Sequence, residues 1–134
     1  MNYHINASSI AGQDALISVK ESEIHFGTRH ESAETLPNPV ELFLGSLAAC
    51  MLKNVERFSD ILKFSYTKAT LNISATRIDN PPRIENIIYD LSIYSTEENL
   101  NTELLKKNIE KFGTIFNTVK LSCSIEGTVK NINI

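Results

Sequence analysis

Asn38-Pro39-Val40-Glu41-Leu42-Phe43-Leu44-Gly45-Ser46-Leu47-Ala48-Ala49-Cys50-Met51-Leu52 decides how this chain folds. Asn38 has the side chain of an N-cap, and Pro39 sits at the first helical position, where a missing N–H costs nothing. Glu41 falls at the third, within reach of the cap's own N–H. From Leu42 to Leu52 only Gly45 and Ser46 interrupt the apolar run. A helix of that composition has no solvent face, so it is expected to be buried all round. It is shorter than the about 20 apolar residues that span a bilayer, so no membrane is expected. Beyond Leu52 the pattern becomes amphipathic. Val55, Phe58 and Ile61 are expected to face inward, and Lys53, Asn54, Glu56 and Arg57 outward, with an end near Lys63.

On the N-terminal side, Tyr3, Ile5 and Ala7 alternate with polar residues, and so do Ala15, Ile17 and Val19. Both read as strands joined by the turn Ala11-Gly12-Gln13-Asp14, with a third strand over residues 22–26. Residues 27–36 read as a polar loop carrying Arg29 and His30. On the C-terminal side, Leu71, Ile73 and Ala75 alternate, as do Ile87, Tyr89, Leu91 and Ile93. The turn Asp79-Asn80-Pro81-Pro82 between them predicts a long hairpin. Leu105, Ile109 and Phe112 follow at helical spacing, and Gly113 is a helix stop. Residues 114–120 suit a short helical turn. Leu121, Cys123, Ile125 and Val129 read as one face of a last strand.

The order is strands, buried helix, hairpin, helix, strand. The class is α+β, with antiparallel sheets wrapped around a long buried central helix. At 134 residues one domain, 1–134, is expected. A helix apolar on every side needs more cover than one sheet face supplies. A second copy of the chain is the simplest source, so a homodimer is expected.

Composition narrows the function classes. Hydrophobic residues make up 42% and charged residues 22%, with a net charge of −3. That balance gives no electrostatic footprint for nucleic acid. The start of the chain lacks a basic region followed by an apolar run. Two cysteines are too few for a disulfide framework, and a reducing cytoplasm is the expected compartment. No zinc, dinucleotide or phosphate-loop motif occurs, and His4, His25 and His30 lack metal-site spacing, so no cofactor is expected.

The chemistry therefore turns on Cys50. Left to its type, it packs as a small hydrophobe. It lies about three turns past the cap, where the helix dipole is weak, and apolar neighbours disfavour a thiolate. A reactive Cys50 needs outside help. Arg29, His25 and His30, in the segment before the helix, and Lys53, one turn on, are the cations to consider.

The run from Asn38 to Cys50 resembles the signature helix of the OsmC/Ohr family, the osmotically inducible protein C and organic hydroperoxide resistance proteins. Element order and length match over essentially the whole chain. The resemblance implies a swapped homodimer whose site lies at the subunit interface. It also implies a thiol peroxidase that reduces organic hydroperoxides in oxidative-stress defence. Cys50 is then the attacking sulfur, a second cysteine closes a disulfide, and a dithiol such as a lipoylated protein reduces it. An arginine and a glutamate hold the thiolate and the peroxide.

The chain departs from that pattern. The family glutamate follows Asn-Pro directly, where this chain has Val40. Glu41 stands next to it, nine residues before Cys50 and about 13 Å away along the axis. The family arginine lies in the early turn, and no arginine occurs here before Arg29. The second family cysteine aligns with Gly113, whereas Cys123 comes ten residues later. The site candidates are Cys50 as nucleophile, Arg29 as activator, Cys123 as resolving thiol and Glu41. The alternative reading is a non-catalytic module that holds a small apolar ligand in the dimer cleft.

Overall fold

The structure, a computed structural model, describes residues 1–134. The chain groups into two compact units, Met1–Phe43 and Leu44–Ile134.

In the first unit, β1 (Asn6–Ser9), β2 (Ala15–Val19) and β3 (Ser22–Phe26) form an antiparallel meander. The β1–β2 turn closes through Gln13 N–H donating to Ile10 O, with Gly12 at φ 79°. β1 is shorter than the alternation from Tyr3 suggested, and all four of its residues are exposed. The following loop contains a 3-10 turn over His30–Ser32.

The long helix α1 (Pro39–Ile61) begins in this unit and runs into the second. Its start is a capping box: Glu41 N–H donates to Asn38 Oδ1 at 2.9 Å, and Asn38 N–H to Glu41 Oε1 at 3.0 Å. The chain leaves the helical region at Lys63, φ 57°.

In the second unit, β4 (Lys68–Ile78) and β5 (Arg83–Ser95) form the expected hairpin. Its tip holds Asn80 at φ 64° and a cis Asn80–Pro81 bond. The register shifts between Ser74 and Thr76, opposite Asn86 at φ 53°, a bulge that keeps one face inward along β5. Two helices follow, α2 (Thr102–Phe112) and α3 (Thr114–Val119), then β6 (Ile125–Asn133). Asn101 caps α2, accepting from Leu104 N–H at 3.0 Å.

β6 corrects the expectation of antiparallel sheets, because it pairs parallel to β5. The α2–α3 segment returns the chain to the starting end of β5, which a parallel neighbour requires. Alternation of side chains carries no strand direction, so the sequence was silent on this.

The core of the second unit lies between α1 and this sheet. Leu47, Met51, Val55 and Phe58 from α1 meet Ile87, Tyr89, Leu91 and Ile93 from β5. Leu105 and Ile109 of α2 and Phe116 and Val119 of α3 close the sides. Each such large side chain, fully buried, contributes about 1.5–3 kcal/mol.

α1 is not buried all round in the single chain. Val40, Phe43, Gly45, Ala49, Leu52 and Ile61 are exposed. Asn54, expected outward, is buried, and Ile61, expected inward, is open. The helical period explains Asn54, which lies between Met51 and Phe58 on the core stripe; Ile61 is the last residue of the helix, beyond Phe58, its last buried one.

Candidate active site

Cys50 is half-buried, at the edge of the core stripe of α1. Two neighbours define the position of its sulfur. One turn on, the Asn54 carboxamide points Nδ2 at Sγ, 4.0 Å away. The i, i+4 spacing puts the two side chains on one helix face. From another element, Gly113 at the α2–α3 junction meets the same sulfur. A Cβ on Gly113 would lie 3.1 Å from Sγ, and 3.0 Å from both Ile109 O and Phe116 Cβ. Gly113 is therefore more than a helix stop. Its φ of −81° suits any residue, so the requirement for glycine is one of close approach.

Two cations, one on α1 and one on α2, rest on aromatic rings, and Lys53 is exposed. The Arg57 guanidinium lies 5.3 Å from the Phe58 ring centre and 5.9 Å from that of Phe112. Lys111 lies over the Phe112 ring at 5.3 Å. Such contacts are attractive because the ring face is electron-rich.

Cys123 is a free thiol like Cys50, and it is not in the last strand as the sequence suggested. It sits in the turn before β6, where its N–H and that of Ser122 both donate to Val119 O. Its Sγ lies 3.7 Å from that same oxygen and packs against the core.

Arg29 and Glu41 belong to the first unit. Arg29 Nη2 donates to Asp14 Oδ2 at 2.9 Å. Ser32 Oγ donates to Asp14 Oδ1 at 2.6 Å, and Thr28 N–H to the same oxygen at 3.1 Å. The Arg29 guanidinium and these donors hold the Asp14 carboxyl well below the usual carboxylate range, and Asp14 in turn raises Arg29. The Glu41 carboxylate is used by the capping box.

Two tyrosines in the second unit are shifted upward. Burial, then the Glu110 carboxylate that accepts its hydroxyl at 2.5 Å, pushes Tyr89 well above its ordinary value. Burial, then the hydrogen bond to Glu56, pushes Tyr66 up to about 12.

Sequence reasoning found Cys50 but missed both of its neighbours. The signal for Asn54 was its spacing, since an amide four residues from a cysteine on a core stripe faces it. Nothing local to residue 113 announced its approach to residue 50.

The family model described as OsmC-like protein matches residues 30–131. This chain belongs to the OsmC family. Its fold is thus that of an OsmC-like protein, as the resemblance implied. Solved structures agree on the fold. The OsmC-like protein of Mycoplasma pneumoniae is 19% identical, covers 98% of each chain and gives a TM-score of 0.86. An organic hydroperoxide resistance protein of Elizabethkingia anophelis, with thiocyanate bound, is 16% identical over 98% of this chain and 99% of its own, with a TM-score of 0.74. A Vibrio cholerae protein described as a putative organic hydroperoxide resistance protein, with captopril in one active site, is 19% identical. It covers 96% of this chain and 92% of its own, with a TM-score of 0.69. Among curated proteins no sequence matches the chain. No helix is long and apolar enough to cross a membrane.

Proposed function

We propose that this OsmC-family chain is a thiol-dependent peroxidase that reduces organic hydroperoxides and works as a homodimer, with Cys50 as the nucleophile. One observation carries the reading. The Cys50 sulfur is held on a rigid helix, half-buried, between the Asn54 amide and the Gly113 backbone. Family membership supports it, since some solved relatives are named organic hydroperoxide resistance proteins.

The Cys50 thiolate attacks the terminal oxygen of ROOH. The S–O bond forms as the O–O bond breaks, the sulfur is oxidised to a sulfenic acid, and RO⁻ takes a proton to leave as ROH. An external dithiol then attacks the sulfenic sulfur, releases water and forms a mixed disulfide. Its second thiol displaces Cys50 and leaves as a cyclic disulfide. In this reading Cys123 is the other candidate for the resolving thiol, and Arg29, held by Asp14 in the first unit, is given no step.

The test is consumption of tert-butyl hydroperoxide with dithiothreitol, in wild type, Cys50→Ser and Cys123→Ser. The expected result is turnover by wild type and Cys123→Ser, and none above background by Cys50→Ser. Equal consumption by wild type and Cys50→Ser would end the peroxidase reading.

A further inference from the structure

Asn54 is the one polar side chain on the buried stripe of α1, among Leu47, Met51, Val55 and Phe58. It is only 8% exposed. An amide in such a place costs free energy unless its N–H groups are used. The hydrogen-bond acceptor the structure gives its Nδ2 is the Cys50 sulfur.

We propose that Asn54 is a catalytic residue, whose carboxamide donates a hydrogen bond to the Cys50 thiolate and holds the charged sulfur in place for attack. This rests on Cys50 being the nucleophile. At 4.0 Å the contact to a neutral thiol is long. A full negative charge on sulfur strengthens and shortens such a bond, and catalytic hydrogen bonds commonly tighten only when the reactive form is present.

The geometry leaves few other directions for the sulfur. Gly113 backs it closely enough that even a methyl group there would press on Sγ. Charged groups on the two helices that carry Cys50 and lead to Gly113 have partners of their own or are open to water. On α1, Lys53 is exposed, and Arg57 is engaged by the Phe58 and Phe112 rings. On α2, Glu110 accepts the Tyr89 hydroxyl, and Lys111 lies over Phe112. The donor aimed at the sulfur is thus a neutral amide fixed by its own helix. A buried amide gives a thiolate a stabilising partner without an opposing charge that must itself be desolvated.

The experiment measures the rate of Cys50 alkylation by iodoacetamide against pH, without peroxide, in a Cys123→Ser background. Asn54 is compared with Asn54→Leu, which keeps the volume and excludes water, and with Asn54→Asp, which keeps the shape and adds a like charge. The expected result is a midpoint about one pH unit higher in Asn54→Leu. The rate at neutral pH should then fall about threefold, because the remaining thiolate is the stronger nucleophile. Asn54→Asp should slow the reaction at least as much. Asn54→Leu should melt no lower than wild type, since it joins an apolar stripe. Unmoved midpoints in the folded variants would overturn the role of Asn54. The readout uses no peroxide, so failure of the peroxidase reading, seen in the turnover assay, is distinguishable from failure of this one.

Discussion

Gly127 is opposite Tyr89 in the parallel β5–β6 pair, and the tyrosine ring lies across it. A Cβ at 127 would come within 2.3 Å of the ring. Tyr89 cannot simply turn away, because it is fully buried and its hydroxyl is tied to Glu110. Gly127→Ala is therefore expected to destabilise the fold by about 3 kcal/mol, the upper end for overpacking a core. Urea denaturation should show the midpoint falling at unchanged slope. A variant as stable as wild type would mean the ring has room the structure does not show. Gly127 and Gly113 share a lesson about legibility. Both are glycines of close approach; the ring that excludes a side chain at Gly127 is 38 residues away, and the sulfur that crowds Gly113 beside its local neighbours Ile109 and Phe116 is 63 away. Local rules read only a helix stop at Gly113 and gave no reading of Gly127. Cys50 was legible because its helix is a contiguous motif, whereas its site is assembled from two elements.

Asp14 organises the loop between β3 and α1. It accepts from Thr28 N–H, Arg29 Nη2 and Ser32 Oγ, and Gly27 leaves room for Ser32 where a Cβ would come within 2.8 Å of Oγ. The sequence marked this stretch as polar loop but gave no sign that a carboxylate 14 residues earlier anchors it. The capping box that follows was legible in full, since Asn38 and Glu41 are three residues apart. So was the end of α2, before Gly113. Cys123 was misplaced because period-two alternation looks the same in a turn as in a strand. The Asp14 carboxyl is lowered in the folded state. Its contribution to stability is therefore complete above about pH 4 and lost as the pH falls toward the folded value. The melting temperature of wild type should exceed that of Asp14→Asn at pH 6, and the gap should narrow progressively as the pH falls below about 4. A gap constant over that range would show that the carboxylate charge does not hold the loop.

At the scale of the whole molecule, the composition of α1 and its exposure do not match in a single chain. A soluble protein seldom places Gly, Ala and Leu together on the open side of a long helix without a use for that side. On α1, Gly45, Ala49 and Leu52 follow one another at four- and three-residue spacing, so they share a face. All three are exposed. That face points away from the stripe of Leu47, Met51, Val55 and Phe58. Small residues at 45 and 49 permit a close approach, and Leu52 supplies apolar area. A second copy is the occupant proposed above, and it makes the sequence of α1 consistent with a helix covered on every side. Wild type is expected to sediment as a dimer at micromolar concentration. Leu52→Glu puts a charge into that face without touching the core, so it should shift the sedimenting species toward monomer while far-UV circular dichroism stays unchanged. A wild-type monomer would leave the face without its proposed cover. A Leu52→Glu dimer as tight as wild type would place the interface on another surface.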